Sequence, residues 1–170
     1  MKLINKMIVL ALFVFYMYAV FRIILFKFHW RDMTFLVHQL QWNLRNPDLL
    51  MYQWQRGNFT PFQTIFINIH SLSGWHDLSN FVGNIAAFIP FGMFLVLLSK
   101  NKGMSFIGVF ARSLSLSLGL ECLQVVFSLG IFDVDDLLLN TSGGLLGYGV
   151  IKLYTKFKVN TSSIVQDRME

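Results

Sequence analysis

Residues 104–154 read MSFIGVFARSLSLSLGLECLQVVFSLGIFDVDDLLLNTSGGLLGYGVIKLY. Two apolar stretches flank a short turn that holds three aspartates, Asp133, Asp135 and Asp136. A helix needs roughly 20 mostly apolar residues to cross about 30 Å of hydrocarbon, and each stretch comes close to that length. The pair reads as a helical hairpin in a bilayer. Working outward, Met7–Phe26 and Phe81–Leu98 have the same character. We therefore expect an all-α membrane protein with four transmembrane helices, near Met7–Phe26, Phe81–Leu98, Met104–Leu129 and Leu137–Tyr154.

Composition leads to the same class. Of 170 residues, 55% are hydrophobic and 14% charged, and the mean hydropathy is +0.55. A soluble domain carries about 25% charged residues, so these polar groups are too few to cover a soluble surface. The single cysteine, Cys122, excludes a disulfide framework or a cysteine-based metal cluster. Three prolines and no biased tract exclude a linker array. Lys2 and Lys6 precede the first apolar run as in a signal peptide, but no small-x-small cleavage pattern follows and Arg22 stands in its place. We read that run as a retained helix.

Orientation follows from the excess of Lys and Arg in cytoplasmic loops. With both termini inside, Lys2, Lys6, Lys100, Lys102, Lys152, Lys156, Lys158 and Arg168 fall on the cytoplasmic side. Lys27, Arg31, Arg45 and Arg56 fall outside. The net charge of +5 then sets topology and meets anionic lipid, and nucleic acid is not an expected partner. All four tryptophans (Trp30, Trp42, Trp54, Trp75) lie in the outer segment between the first two spans. Trp favours the headgroup level, so this segment is expected to lie along the outer surface. Within it, residues 58–69 (NFTPFQTIFINI) are apolar, too short to span and interrupted by Pro61. That suits an interfacial or re-entrant piece. The chain divides into an N-terminal helix with its outer segment (1–57), a membrane core (58–154) and a cytoplasmic tail (155–170).

Polar groups inside the spans carry the functional reading. An ionisable group at the centre of a membrane helix costs about 2.5–3.5 kcal/mol on insertion scales. Ser113, Ser117, Glu121, Gln124 and Ser128 fall on one stripe of the third span. Asp136, Asn140, Gly143 and Gly147 do so on the fourth, and Gly143 with Gly147 forms a small-xxx-small pair suited to close helix approach. The two stripes are expected to face one another. At about 1.5 Å per residue, Glu121 lies roughly 12 Å below the outer end of its helix, Gln124 roughly 8 Å, and Asn84 and Asn140 roughly 5 Å. Together with Asp133 and Asp136 they outline a polar pocket opening outward.

Each member also has a packing explanation. Asp135 or Asp136 can cap the fourth helix. Asn84 and Asn140 can act as interhelical glue worth about 0.6 kcal/mol each. Pro90 can kink the second span, with Gly92 aiding packing. Arg112, nine residues before Glu121, is half a turn out of phase with it and can snorkel to the cytoplasmic side. Glu121 has no comparably cheap explanation. Histidines 29, 38, 70 and 76 show no HExxH spacing. Carboxylates 121, 133, 135 and 136 are hard-cation donors, but their pattern is not an EF-hand. No metal or cofactor is expected.

Five motifs together resemble the VanZ-like family of membrane proteins: NFTPF (58–62), GNIAAFIPFG (83–92), ECLQ (121–124), FDVDDLLLN (132–140) and SGGLLGY (142–148). They include Asn58, Pro61, Phe62, Pro90, Gly92, Gly143, Gly144 and Gly147. The resemblance runs from Asn58 to Tyr154. One departure stands out: relatives often carry an Arg shortly before the aspartates, where this chain has Gly130 and Ile131. The resemblance implies a bacterial cell membrane and lowered susceptibility to teicoplanin-like glycopeptide antibiotics.

The leading expectation is a binder in which Asn84, Glu121, Gln124, Asp133, Asp136 and Asn140 engage the headgroup of a cell-wall lipid precursor or of a lipid-tailed antibiotic. Outer aromatics would cradle the tail. A second reading is an intramembrane enzyme acting on a lipid-linked envelope component with Glu121 as general base. No Ser-His or Cys-His pairing at useful spacing supports it. A third is a small transporter closed by dimerisation through Gly143 and Gly147.

Overall fold

The computed structural model describes residues 3–26, 33–70, 75–99 and 103–167. It holds seven α-helices: α1 (Leu3–Phe26), α2 (Met33–Arg45), α3 (Pro47–Gln55), α4 (Gln63–His70), α5 (Trp75–Leu98), α6 (Phe106–Val126) and α7 (Val134–Asp167). Three contain stretches long and apolar enough to cross a bilayer: Ile4–Leu25, Asn80–Leu98 and Phe106–Val126. α7 is longer, 34 residues or about 51 Å, yet it is not among these three. Asn140, Thr141, Ser142 and four glycines dilute its apolar character. Of these, Asn140, Thr141, Gly143, Gly144 and Gly147 are buried against its neighbours.

The four long helices alternate in direction. Ser117 of α6 meets Asn140 of α7, and Ser113 meets Gly144, so α6 and α7 are antiparallel. Ile85 and Ile89 of α5 meet Gly143 and Gly147 in turn, so α5 and α7 run the same way. On the far side of α5, the Tyr16 hydroxyl donates to the Ala87 carbonyl at 2.5 Å. Phe13 of α1 stacks on Phe91 one turn further along α5. The interior between α1, α5 and α6 is filled by Val20, Ile24, Leu25, Phe88, Phe91 and Leu120. Ile8, Phe15, Ile107 and Leu118 project outward, as a lipid-facing surface requires.

Between membrane helices the lipid is as apolar as the protein, so close van der Waals packing and interhelical hydrogen bonds do the joining. The α5–α7 contact shows the first device. A Cβ at Gly143 would collide with the Ile85 carbonyl oxygen, one at Gly147 with that of Ile89, and one at Gly92 with that of Gly144. The small-xxx-small face offered above for dimerisation is therefore occupied by α5 of the same chain. Gly92 takes the packing part expected of it, while Pro90 lies inside an unbroken α5.

Arg112 is exposed and its Nη1 donates to the Gly108 carbonyl at 3.0 Å, back toward the start of α6. The outer segment forms α2, α3 and α4. Of the residues used for orientation, Lys2, Lys27, Arg31, Lys100, Lys102 and Arg168 lie outside the described residues, as do Trp30 and the side chain of Trp75.

Candidate functional site

The site is built at the start of α7, where Asp133 and Asp135 tie it to α4 and its entry and Asp136 ties it to α5. A helix N-terminus exposes unpaired N–H groups and positive partial charge, which favours acids there. Asp133, one residue ahead of α7, accepts the Asp135 N–H on Oδ1 at 2.8 Å. The cap is thus Asp133, where Asp135 or Asp136 was expected. Asp133 Oδ1 also accepts Asn58 Nδ2 at 2.9 Å, and Oδ2 accepts Thr64 Oγ at 2.8 Å. The backbone repeats the link: Asn58 N–H donates to the Phe132 carbonyl at 2.7 Å and Val134 N–H to that of Asn58 at 3.0 Å. This is an isolated parallel bridge.

Asp135 is fully buried and serves another helix. Its Oδ1 accepts the Phe62 N–H at 2.5 Å and its Oδ2 the Ile65 N–H at 3.1 Å. It therefore caps α4 across a gap of some seventy residues. Pro61 and Phe62 make the tight entry to α4, with Phe62 at φ 68. Asp136 turns to α5, accepting Asn84 Nδ2 on Oδ1 at 2.5 Å.

Glu121, 1% exposed, reaches the same turn from α6, its Oε2 accepting the Asp133 N–H at 3.0 Å. Asn84, Glu121, Asp133 and Asp136 are thus gathered at one end of the bundle. Two expected members are not part of this group. Gln124 Nε2 donates to the Ile24 carbonyl at 2.9 Å and so pins the end of α1. Asn140, a turn below Asp136, donates to Ser117 Oγ at 2.8 Å. The expected facing of the two stripes holds for Ser113 and Ser117, whereas Gly143 and Gly147 turn to α5. At Gly130, a Cβ would come within 2.9 Å of Gln124 Oε1, so the glycine leaves room for that side chain.

Two contributors, Asn43 and Gln53, carried no sequence signal. Asn43 of α2 is 1% exposed. Its Nδ2 donates to the Val126 carbonyl and to Ser128 Oγ, both at 2.8 Å. Gln53 Nε2 of α3 donates to the same Ser128 Oγ at 2.7 Å. Ser128 has φ 51, a turn conformation that presents its hydroxyl to both. Trp54, Phe59 and Phe132 form an aromatic trio with every ring-centroid pair 5.2 Å apart. Among the described residues, no three His, Cys, Asp or Glu side chains are placed to share a metal ion.

Fold and site together define an all-helical membrane protein whose long apolar helices are tied at one end by a cluster of acids and amides. Residues 13–155 match the VanZ/LLP1 family, and the chain belongs to that family. The match takes in most of α1 and all of the outer segment, beyond the stretch in which the motifs lie. Protein VanZ of Enterococcus faecium is 33% identical to this chain over 119 residues, covering 70% of this chain and 63% of that protein's length. No solved structure matches it.

Proposed function

We propose that the polar cluster at the α6–α7 turn is an outer-leaflet binding site for a polar headgroup, borne by a cell-wall lipid precursor or by a lipid-tailed glycopeptide, and that through it the chain lowers glycopeptide susceptibility. The observation that carries this reading is the convergence of Asn84, Glu121 and Asp136, from three long helices, on one turn. Carboxylates are costly at such a depth, and the exposed Trp54 and Phe59 stand beside them. In this reading α7 is the fourth span. Its polar and small groups are tolerated because they pack on α5 and α6 while Leu146, Val150 and Leu153 face outward. Both termini are then cytoplasmic, in a multi-pass protein of the bacterial plasma membrane, as the distribution of Lys and Arg favours.

The test uses full-length protein in nanodiscs titrated with teicoplanin and, separately, with a lipid-linked cell-wall precursor. At least one is expected to bind. Asp136→Asn or Glu121→Gln is expected to weaken that binding about tenfold, or 1.4 kcal/mol. Binding of neither probe, or binding indifferent to both substitutions, would overturn the reading.

A further inference from the structure

An apolar groove of about 470 Å³ lies between α3 and α6, lined by Pro47, Leu50, Met51, Trp54, Cys122, Val125 and Val126. The α3 residues recur at i, i+3, i+4 and i+7 and the α6 residues at i, i+3 and i+4, so two helix stripes face one another across a gap. Two apolar stripes with nothing else between them would close up. Here buried polar pins fix α2 and α3 to the end of α6. Asn43 holds the Val126 carbonyl and Ser128, and Gln53 holds Ser128. The groove is therefore a built feature.

Its upper wall continues into the polar cluster. Trp54 lines the groove and packs on Phe59 and Phe132, and Phe132 is the residue before Asp133. We infer that the groove seats one hydrocarbon chain of a membrane lipid, with that lipid's headgroup at the α6–α7 turn. The placement of the headgroup rests on the reading proposed above. The size falls in the range of ligand pockets, about 300–1,000 Å³. The lining favours a hydrocarbon chain over a peptide. An extended peptide would bring backbone N–H and C=O groups that an apolar wall leaves unpaired, and a methylene chain brings none. One wall belongs to α6, a helix of membrane-spanning character, so a chain from the bilayer reaches the groove without crossing water.

The test reconstitutes the full chain with a phospholipid carrying a photoactivatable diazirine in one acyl chain and maps adducts by mass spectrometry. Ile107 and Leu118, exposed on the same helix, report ordinary lipid contact. Adducts on Leu50, Met51, Cys122 and Val126 are expected to exceed those controls about tenfold, as a seat favoured by 1.4 kcal/mol would give. Filling the groove by Leu50→Trp, or by Met51→Trp at its more open side, is expected to abolish that excess and leave the controls unchanged. Equal labelling of groove and controls in the wild type overturns the seat. Asp136→Asn separates the two claims. Loss of the groove excess in that variant supports one lipid spanning both places. An undiminished excess keeps the seat and overturns the placement of its headgroup at the turn.

Discussion

Removing the buried Asp135 carboxylate should cost several kcal/mol of stability. The side chain is fully buried and accepts two backbone N–H groups at the start of α4, from Phe62 and Ile65. A hydrogen bond to a charged group contributes about 1.5–3 kcal/mol, so Asp135→Ala should cost about 3–6 kcal/mol in all. Asp135→Asn keeps one acceptor oxygen and turns an amide N–H toward the other donor. Its cost should be about half as large. α4 has eight residues, too few to be helical without tertiary support, so its entry should fray before the bundle melts. Two assays separate these effects. Thermal unfolding of the purified protein in detergent reads the global cost. Limited trypsin digestion at the exposed Arg56 reads the local one, since that site lies just ahead of the strand-like contact and α4. A change within about 0.5 kcal/mol, the range of an ordinary surface substitution, with unchanged cleavage at Arg56, would refute the capping argument.

Four further outcomes follow from the packing and the hydrogen bonds. Gly147→Ala forces its Cβ onto the Ile89 carbonyl and should cost about 1–3 kcal/mol. Gly119→Ala, which meets open space, should be neutral or gain about 0.5–1 kcal/mol from helix propensity. Melting curves of the two variants side by side check both. Asn43→Ala leaves the half-buried Val126 carbonyl without this donor and should cost about 1–3 kcal/mol. Hydrogen exchange should then rise across α2 and α3 ahead of the other helices. In a double-mutant cycle, Asn84→Ala and Asp136→Ala should couple by about 0.6–1.7 kcal/mol, from the average to the maximum measured for hydrogen bonds between membrane helices. Additive effects would show that their contact carries no energy.

Hydropathy located α1, α5 and α6 within a few residues at most ends, because a bilayer demands long apolar runs and little else imitates them. The fourth apolar run stops near Tyr154 while α7 continues to Asp167, since polar residues sustain a helix once it is nucleated. Helical spacing grouped Ser113, Ser117, Glu121 and Gln124 correctly on one face, but Ser128, counted with them, lies beyond α6 in a turn with φ 51. Periodicity shows which residues share a face but not which neighbour they meet, so Gln124 went to α1 and Gly143 to α5. The aspartates were harder to apportion. Three acids in four positions look alike in sequence, and their partners at 58, 62, 65 and 84 lie far along the chain. Asn43 and Gln53 were invisible for a related reason: an amide on a short amphipathic helix signals nothing until Ser128 is brought beneath it.

The central claim is that the acids and amides at the α6–α7 turn act on a ligand in addition to holding helices. It is tested most directly by glycopeptide susceptibility of a sensitive bacterial host expressing wild type, Glu121→Gln, Asp136→Asn or Asn140→Ala at matched membrane levels. Wild type is expected to lower teicoplanin susceptibility, and Glu121→Gln and Asp136→Asn to abolish that effect. Asn140→Ala should retain most of the effect, since Asn140 bonds to Ser117 one turn below the cluster. Equal protection by all four proteins would contradict the claim and leave the polar cluster as a device for packing helices.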